Sequence, residues 1–370
     1  ASFDKTTGAM LKAFHERWYT PNNATLIVSG DVDAKQTLDT VGRLFGDIES
    51  HDVPKTAAVE LSPVDAEPIR MPTDAGYGLA YLAFRGPGSH SPENYAAANV
   101  LATILNNPRS ALYSRLVATG KSLGTQFALD GMRDAGIAYA AAAFPKGADA
   151  DALVAQMREV LGDIADKGVS AEQVEAAKRQ LATRNAAARD SIEGLARQWS
   201  QAVAIDGLAS PDAELAAIRR VDAKAVNRVA RRMLDPDQSV LTVLTPEGSG
   251  APAAGDGFGG GESFAPSHAA DVNLPDWAAK PLASIDTPTP RVAPQQSTLD
   301  NGLRLIVVPT DATHAVHVYG HIRNEPYLQA PKGKEGIDGV LSSLLDYGTR
   351  KHDRVAYQAE LDAIGARASA

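Results

Sequence analysis

His15 and Glu16 resemble the start of a zinc-binding H-E-x-x-H helix. In that pattern two histidines four residues apart lie on one helix face and bind the metal, and the glutamate acts as general base. The fifth position here is Tyr19 instead of histidine, so the second ligand is missing. The pattern therefore predicts a capped or solvent-exposed helix at this place.

His314, His317 and His321 form the only histidine cluster of the sequence. The alternation of apolar residues predicts a strand over residues 315–322. His317 and His321 would then share a face about 13 Å apart, at ~3.3 Å per residue, with His314 on the other face. A helix would bring His317 and His321 together, but Gly320 and the flanking valines disfavour it. Zinc needs ligands at about 2 Å, so histidines placed in this way on a strand are expected to have a structural role.

Residues 255–260 read GDGFGG and match the G-x-G-x-x-G pattern of dinucleotide-binding loops. That loop binds phosphate because a helix begins directly after it and offers its N-terminal amides. No helix is predicted after Gly260, and Pro266 follows soon. The composition therefore favours a flexible linker at this point.

No other catalytic pattern stands out, and the composition excludes several classes of protein. The sequence contains no G-x-S-x-G elbow, no Walker loop and no carboxylate pair whose spacing indicates a general acid and base. It contains no cysteine, which excludes disulfides and thiolate metal sites. The 370 residues carry a net charge of −9, unlike a basic nucleic-acid-binding surface. No apolar run approaches the length of a membrane span.

Hydrophobic periodicity and turn residues predict an α+β fold, with helices packed on one face of a mainly antiparallel sheet. A short β-rich run covers residues 24–29, and further strands are expected at 77–85, 125–129, 137–144, 239–244 and 298–308. Ser170 and Gln173 are expected to cap one long helix whose apolar seam extends to Val203. The other helices are predicted near residues 4–20, 34–45, 91–105, 111–119, 153–164, 210–220, 221–233, 336–347 and 354–364.

One stretch rich in Pro, Asp and Ala and a second one rich in Gly, Pro, Ala and Ser divide the chain into segments. The expected segments are the end of a first domain (1–52), a linker (53–75), a complete second α+β domain (76–246), an inter-domain linker (247–296) and the start of a third domain (297–370). The two end segments are too small to bury a core alone, so both ends are expected to lie within domains.

Three motifs carry a resemblance to a known family. Residues 11–33 read LKAFHERWYTPNNATLIVSGDVD, and FGDI follows at 45–48. Residues 112–116 read LYSRL, with Gly120 after them, although the usual charged continuation is absent. Residues 299–309 read LDNGLRLIVVP. Together these segments resemble the insulinase/pitrilysin family of zinc metallopeptidases, over nearly the whole chain outside the linker.

The helix expected after the third motif reads GIDGVLSSLLDYGT over residues 336–349. In catalytic members of the family this helix carries H-x-x-E-H, in which two histidines bind zinc and a glutamate activates a water molecule. Aligned on the flanking glycines, those positions are Gly339, Ser342 and Ser343, which cannot bind zinc tightly or accept a proton. The resemblance therefore implies a degenerate, non-catalytic repeat, and no catalytic or metal-binding residue is assigned in this chain.

The resemblance also implies an arrangement of repeated metallopeptidase-like domains in a fused, two-half parent protein. The zinc ligands of that parent would lie upstream of Ala1. The parent would be a zinc metalloendopeptidase that encloses a peptide or unfolded polypeptide, with this chain as chamber wall and hinge. Its partners would be that substrate and the missing parts of its own parent chain, with no nucleic acid. A periplasmic or exported bacterial location is favoured.

The alternative is a non-catalytic scaffold or peptide-binding protein, because the family also includes members without activity. An intact H-x-x-E-H upstream of Ala1 would decide for the peptidase, and a second degenerate motif would decide for the scaffold.

We predict that the 370-residue chain alone binds no stoichiometric zinc and cleaves no peptide. The reasons are that Tyr19 stands where His15 would need a second ligand, and that a strand keeps His317 and His321 about 13 Å apart. Elemental analysis of the purified protein by mass spectrometry tests this. One zinc ion per chain would contradict both the prediction and the histidine argument behind it.

Overall fold

The structure is a computed structural model that describes residues 5–55, 60–62, 64, 67–247, 293–309, 316–322 and 330–369. The helices of these residues are α1 (Gly8–Trp18), α2 (Ala34–Phe45), α3 (Pro92–Leu105), α4 (Ala150–Lys167), α5 (Ala171–Ala188), α6 (Ile192–Ser200), α7 (Pro211–Arg220), α8 (Ala223–Met233), α9 (Ile337–Leu344) and α10 (Arg354–Ile364). The strands are β1 (Ile69–Thr73), β2 (Tyr77–Pro87), β3 (Gly124–Gly131), β4 (Ala135–Pro145), β5 (Ser239–Pro246), β6 (Gln295–Thr298) and β7 (Arg304–Val307). Single π-helical turns occur at Tyr113–Val117 and Gln201–Ile205.

Backbone contacts divide the chain into two compact units, Ala1–Gly250 with Thr313–Ala370, and Ala251–Ala312. In the second unit the structure describes the antiparallel hairpin of β6 and β7. Its turn contains Asn301 and Gly302, and Gly302 has the positive φ of 85° that this tight turn requires. The predicted strand at residues 298–308 is therefore a hairpin whose second strand begins at Arg304.

A five-stranded sheet in the order β1-β5-β2-β4-β3 is the centre of the first unit. Three of its neighbouring pairs are antiparallel, and β1 runs parallel to β5. The predicted α+β class with a mainly antiparallel sheet is thus confirmed. Strand β1 lies at residues 69–73, within the stretch that the composition assigned to a linker, and Pro72 suits it to an edge position.

Side chains alternate along β2 and β4 between a buried face and an open face of the sheet. Leu82, Phe84, Ala140 and Phe144 point inward and pack with the helices in one core. Both α3 and α8 contact β2 on this side, and α4 covers it as well. Helices therefore cover one face of the sheet, as the sequence predicts.

The predicted cap of α5 is present, but the predicted long helix is not continuous. Ser170 and Gln173 form a reciprocal capping box at the start of α5. The helix ends at Ala188, and Ser191 caps a new helix, α6, by accepting a hydrogen bond from the Gly194 amide. The expectation of one helix to Val203 was wrong because this local cap competes with the continuing apolar seam.

Two predicted strands are not formed. Residues 24–29 and the described residues 316–322 have no strand structure, although both are rich in β-branched residues. A strand requires a hydrogen-bonded neighbour, and neither segment has one among the described residues. Sequence pattern indicates the propensity of a segment but not the presence of its partner.

Strand β3 is an edge strand, and a side chain forms hydrogen bonds with the free backbone groups in its middle. The Asn106 carboxamide, at the end of α3, accepts a hydrogen bond from the Phe127 amide at 2.8 Å and donates one to the Phe127 carbonyl. The same carboxamide donates to the Ala102 carbonyl at 2.9 Å. Asn106 thus replaces a neighbouring strand at this point, which protects the edge from unwanted pairing.

We predict that Asn106→Ala lowers the free energy of unfolding by about 1–3 kcal/mol, because it leaves the amide and carbonyl of Phe127 without partners. Asn106→Asp keeps an acceptor for the Phe127 amide, but it places a carboxylate oxygen against the Phe127 carbonyl oxygen. We therefore expect this variant to be destabilised too. Urea unfolding followed by circular dichroism measures both effects. If both variants were as stable as the wild type, the Phe127 amide and carbonyl would have other hydrogen-bond partners.

Candidate functional site

The surface with the clearest potential to bind a ligand is the open face of the five-stranded sheet, called the open face below. It consists of the outward residues of the three central strands and the edge strand β3, and most of them are apolar, aromatic or small. They are Tyr77, Leu79, Tyr81, Ala83, Arg85, Gln126, Ala128, Asp130, Ile137, Tyr139, Ala141, Ala143, Val240, Thr242 and Leu244. Ala141 is buried, whereas Tyr77 and Ile137 are 47% and 48% exposed.

Aromatic rings and alanines give the open face its shape. The rings of Tyr81 and Tyr139, on neighbouring strands, lie 6.0 Å apart in an edge-to-face arrangement. Beside them, Ala141 and Ala143 leave a trough of about 410 Å³ that Thr125 and Leu79 also line. The lining of the trough is therefore mainly apolar, with Tyr77 and Tyr81 as its aromatic members.

The chemistry of the open face is that of binding. Arg85, at one end of β2, donates a hydrogen bond to the Ser62 carbonyl at 2.6 Å. The residues that line the trough include no carboxylate, histidine or lysine. A surface of this kind can hold an extended apolar segment.

Gly339, Ser342 and Ser343 lie on helix α9, in the region where the sequence predicted a helix. Ser342 and Ser343 follow Gly339 by three and four residues, and this spacing places the three positions on one face of the helix. The Ser343 hydroxyl donates a hydrogen bond to the Gly339 carbonyl at 2.8 Å. The hydroxyl is thus occupied by the helix backbone.

The histidines singled out from the sequence do not converge. His15 stacks on Tyr19, the residue at the missing ligand position, with ring centroids 4.6 Å apart. His317 lies with its Nε2 atom 3.1 Å from Asp190 Oδ2, and His321 is exposed. His314 and the glycine-rich residues 255–260 lie outside the described residues. Among those that are described, no group of three or more His, Cys, Asp or Glu side chains could hold a metal ion.

A buried polar cluster lies beside the second π-helical turn, between α3 and α7. Burial raises the pKa of Glu214, and the nearby Asp206 carboxylate raises it further. Burial and the same carboxylate also raise the pKa of Tyr95. A carboxyl group with a raised pKa keeps its proton to higher pH, so its ionisation disfavours the fold as the pH rises.

The cavity at this cluster is about 20 Å³, which is room for one water molecule. The buried Ser89 hydroxyl lines it and has no hydrogen-bond partner among the described residues. A single bridging water would satisfy that hydroxyl. The cluster therefore has the properties of a hydrated structural junction, and the open face remains the larger candidate surface.

Comparison with known proteins identifies the class to which this fold belongs. A profile described as "Peptidase M16 inactive domain" matches residues 5–181. The fold is also shared with a protease from Helicobacter pylori, at a TM-score of 0.59 and 18% identity over 66% of this chain and 60% of that one. Residues 5–181, just under half of the chain, thus resemble an inactive domain of the M16 peptidases, the family to which the insulinase/pitrilysin motifs pointed. The fold is that of M16-like proteases.

Two further proteins are similar in sequence over shorter stretches. Protein YhjJ of Salmonella typhimurium is 37% identical over 67 residues, which are 18% of this chain and 14% of YhjJ. Probable zinc protease PqqL of Escherichia coli is 56% identical over 32 residues, 9% of this chain and 3% of PqqL. The structure of the first half of the periplasmic protease PqqL covers 65% of this chain and 55% of that one, at a TM-score of 0.52 and 18% identity. The sequence matches thus span a small part of these relatives.

Sequence reasoning did not identify the open face as a site. In the strands at residues 77–85 and 137–144, the side chains on both sides are mainly apolar. The sequence therefore does not show which side of each strand faces the core. An apolar outward side indicates a second layer or a binding surface, and only the packing of the helices shows which side stays open. The helices in the described part of the chain include none that is long and apolar enough to span a membrane.

Proposed function

We propose that this chain is part of a zinc-dependent metalloendopeptidase that cleaves peptides or unfolded polypeptides in a closed chamber. In this proposal the chain supplies chamber wall and hinge, and the zinc site lies elsewhere in the parent protein. The observation that carries the proposal is the open face, an apolar and aromatic surface on a domain of a peptidase family. Such a surface contacts a substrate without taking part in the chemistry.

The chemistry of the open face suits an unfolded polypeptide. Apolar side chains of an extended peptide can pack on the rings of Tyr81 and Tyr139, and the trough at Ala141 and Ala143 gives room for them. Because the surface has few fixed charges, it would select for apolar character more than for a defined sequence. Weak binding of many sequences is what a chamber wall requires.

The hinge part of the proposal rests on the composition of residues 247–296. A stretch rich in Gly, Pro, Ala and Ser links domains flexibly, and flexible links permit a chamber to open and close. Closure of the chamber would exclude bulk water from the reaction and restrict the size of the substrate.

In this proposal the segments of the chain keep the assignments made from the sequence, except that residues 69–73 of the linker form strand β1 of the second domain's sheet. Residues 1–52 are the end of a catalytic-type domain, 53–75 a linker, 76–246 the second domain and 297–370 the start of a degenerate third domain. Zinc would be held by ligands upstream of Ala1, with Gly339, Ser342 and Ser343 at the degenerate positions. The partners would be the substrate and the other parts of the parent chain. PqqL is described as periplasmic, which favours a periplasmic or exported location for this protein as well.

One observation favours a second candidate, a non-catalytic scaffold or peptide-binding protein of the same family. Helix α9 carries glycine and serine where a catalytic helix would carry zinc ligands and a base. If the corresponding helix of the first domain were equally degenerate, the parent would bind peptides and cleave none.

We expect the open face to bind an unstructured, fluorescein-labelled peptide with alternating apolar residues. Ala143→Arg places a long cation in the trough, and Tyr81→Ala removes one of the two rings. Each should weaken binding about 3–30-fold, since an aromatic contact or an intruding charge is worth about 1–2 kcal/mol. Fluorescence anisotropy at constant salt concentration measures the dissociation constant.

Ala155→Arg is the matched control, because Ala155 is exposed on α4, in the helical layer on the other side of the sheet. It adds the same charge to the protein away from the trough. Equal affinity of the Ala143→Arg and Ala155→Arg variants, or an absence of measurable binding to the wild-type chain, would contradict the role of the open face.

The choice between peptidase and scaffold is tested in the coding region directly upstream of Ala1. We predict that it encodes an H-x-x-E-H helix followed at long range by a glutamate, because these residues supply zinc ligands and the general base. Sequencing of that region reads the motif directly. A second degenerate helix there would withdraw the peptidase assignment and leave the scaffold.

A further inference from the structure

A buried carboxylate connects helix α10 to the helical layer that covers the sheet. Asp362 is 5% exposed, although aspartate is rarely buried without partners. Its two carboxylate oxygens accept hydrogen bonds from Asn107 Nδ2 at 3.0 and 3.1 Å and from Gln180 Nε2 at 2.5 Å. Arg109 Nη1 lies 3.3 Å from Oδ2 and supplies the compensating positive charge.

The three donors belong to a part of the chain far from Asp362 in sequence. Asn107 and Arg109 follow α3, and Gln180 lies on α5, so they are separated from Asp362 by 255, 253 and 182 residues. Gln180 is itself 8% exposed, and the Arg109 side chain is 30% exposed. These residues line a groove between α3 and α5 together with Ala176, Ala177 and other small or polar residues, and a cavity of about 70 Å³ remains beside the carboxylate.

The chemistry of this groove is specific for a carboxylate. Two carboxamide nitrogens and one guanidinium converge as donors, and a carboxylate offers acceptors only. An aliphatic or cationic side chain would leave the two carboxamide donors unpaired in a largely buried place, which costs about 1–3 kcal/mol per group, and an asparagine would offer one acceptor oxygen in place of two. The groove therefore selects an acidic side chain by its hydrogen bonds as well as by its charge.

Further contacts hold α10 in the same orientation. Arg179 Nε donates to the Asp362 carbonyl at 3.1 Å, so the end of the helix is fixed through its backbone as well. Gly365 ends α10 with a φ of 68°, and a Cβ atom there would lie 2.9 Å from Thr183 Oγ1 on α5. The absence of a side chain at this position allows the close approach.

The beginning of α10 has its own contacts to the segment after α3. Arg354 donates a hydrogen bond to the Pro108 carbonyl at 2.9 Å. Its guanidinium carbon lies 4.6 Å from the centre of the Tyr113 ring, a cation–π geometry. The Tyr113 hydroxyl in turn lies 2.7 Å from the Tyr347 hydroxyl, just before α10.

We infer that the groove between α3 and α5 is a carboxylate-binding docking site, and that its occupant is helix α10 of the same chain, anchored by Asp362. The site connects the segment that follows the glycine-rich linker to the helical layer of the five-stranded domain. It is independent of the open face, and neither the peptidase nor the scaffold proposal requires it.

The test uses the full chain and the fact that it contains no cysteine. Cysteines introduced at two exposed positions, Ala186→Cys on α5 and Val355→Cys on α10, take spin labels at these two sites alone. Pulsed electron paramagnetic resonance then reports the distance between the two helices. Hydrogen exchange of the α10 amides reports their protection in the unlabelled protein.

We expect one narrow distance distribution in the wild-type background and a broad one in Asp362→Ala, with exchange of the α10 amides at least about tenfold faster, which is the loss of about 1.4 kcal/mol. Asp362→Asn keeps the shape of the side chain but loses its charge, so it should give an intermediate result if Asp362→Ala does not fold. Glu360→Gln is the matched control, since Glu360 is exposed on the same helix and its charge is removed in the same way.

Two results would overturn the inference. In the first, Asp362→Ala and Glu360→Gln have the same distance distribution and the same exchange rates, so the carboxylate does not hold the helix. In the second, the distance signal disappears when doubly labelled protein is mixed with excess unlabelled protein, so the helix docks on a second copy. Unchanged exchange in β2 and β4 of each variant shows that the sheet has remained folded.

Discussion

The one-sided burial of the five-stranded sheet is the constraint on which the rest of this structure depends. In the described structure helices cover one face of the sheet, so the inward residues of β2 and β4 form the core with α3, α4 and α8. The outward residues then stay accessible whatever their polarity. On β2 and β4 they are mainly tyrosine, alanine and aliphatic residues, a choice that solvation alone does not explain. The same constraint thus produces both the core and the candidate binding surface.

Local features of this fold could be predicted from the sequence because their causes are local. Ser170 with Gln173 caps α5 as expected, and the alternation over residues 77–85 gives β2. Asn301 and Gly302 likewise mark the turn of the hairpin between β6 and β7. In each case, residues within a few positions of one another supply the donors, the acceptors or the allowed backbone angles.

The failures have non-local causes. Residues 24–29 have the composition of a strand, but no neighbouring strand pairs with them in the described structure. Strand β1 was missed because its partner β5 lies about 170 residues away, and nothing in the five residues themselves indicates a parallel pair. The contacts of Asp362 are of the same kind, since one acidic residue among many on amphipathic helices gives no signal of burial. The degenerate positions on α9 were found through family resemblance, and their role stays a prediction.

The positions of the two surfaces have a consequence for how the protein could work. The Asp362 site lies in the helical layer, between α3 and α5, whereas the open face lies on the other side of the sheet. A ligand on the open face therefore has no direct contact with the residues that hold α10. Any coupling between the two would have to pass through the strands, whose inward residues are closely packed. A domain built in this way can hold α10 through one layer and still leave the other face of its sheet open.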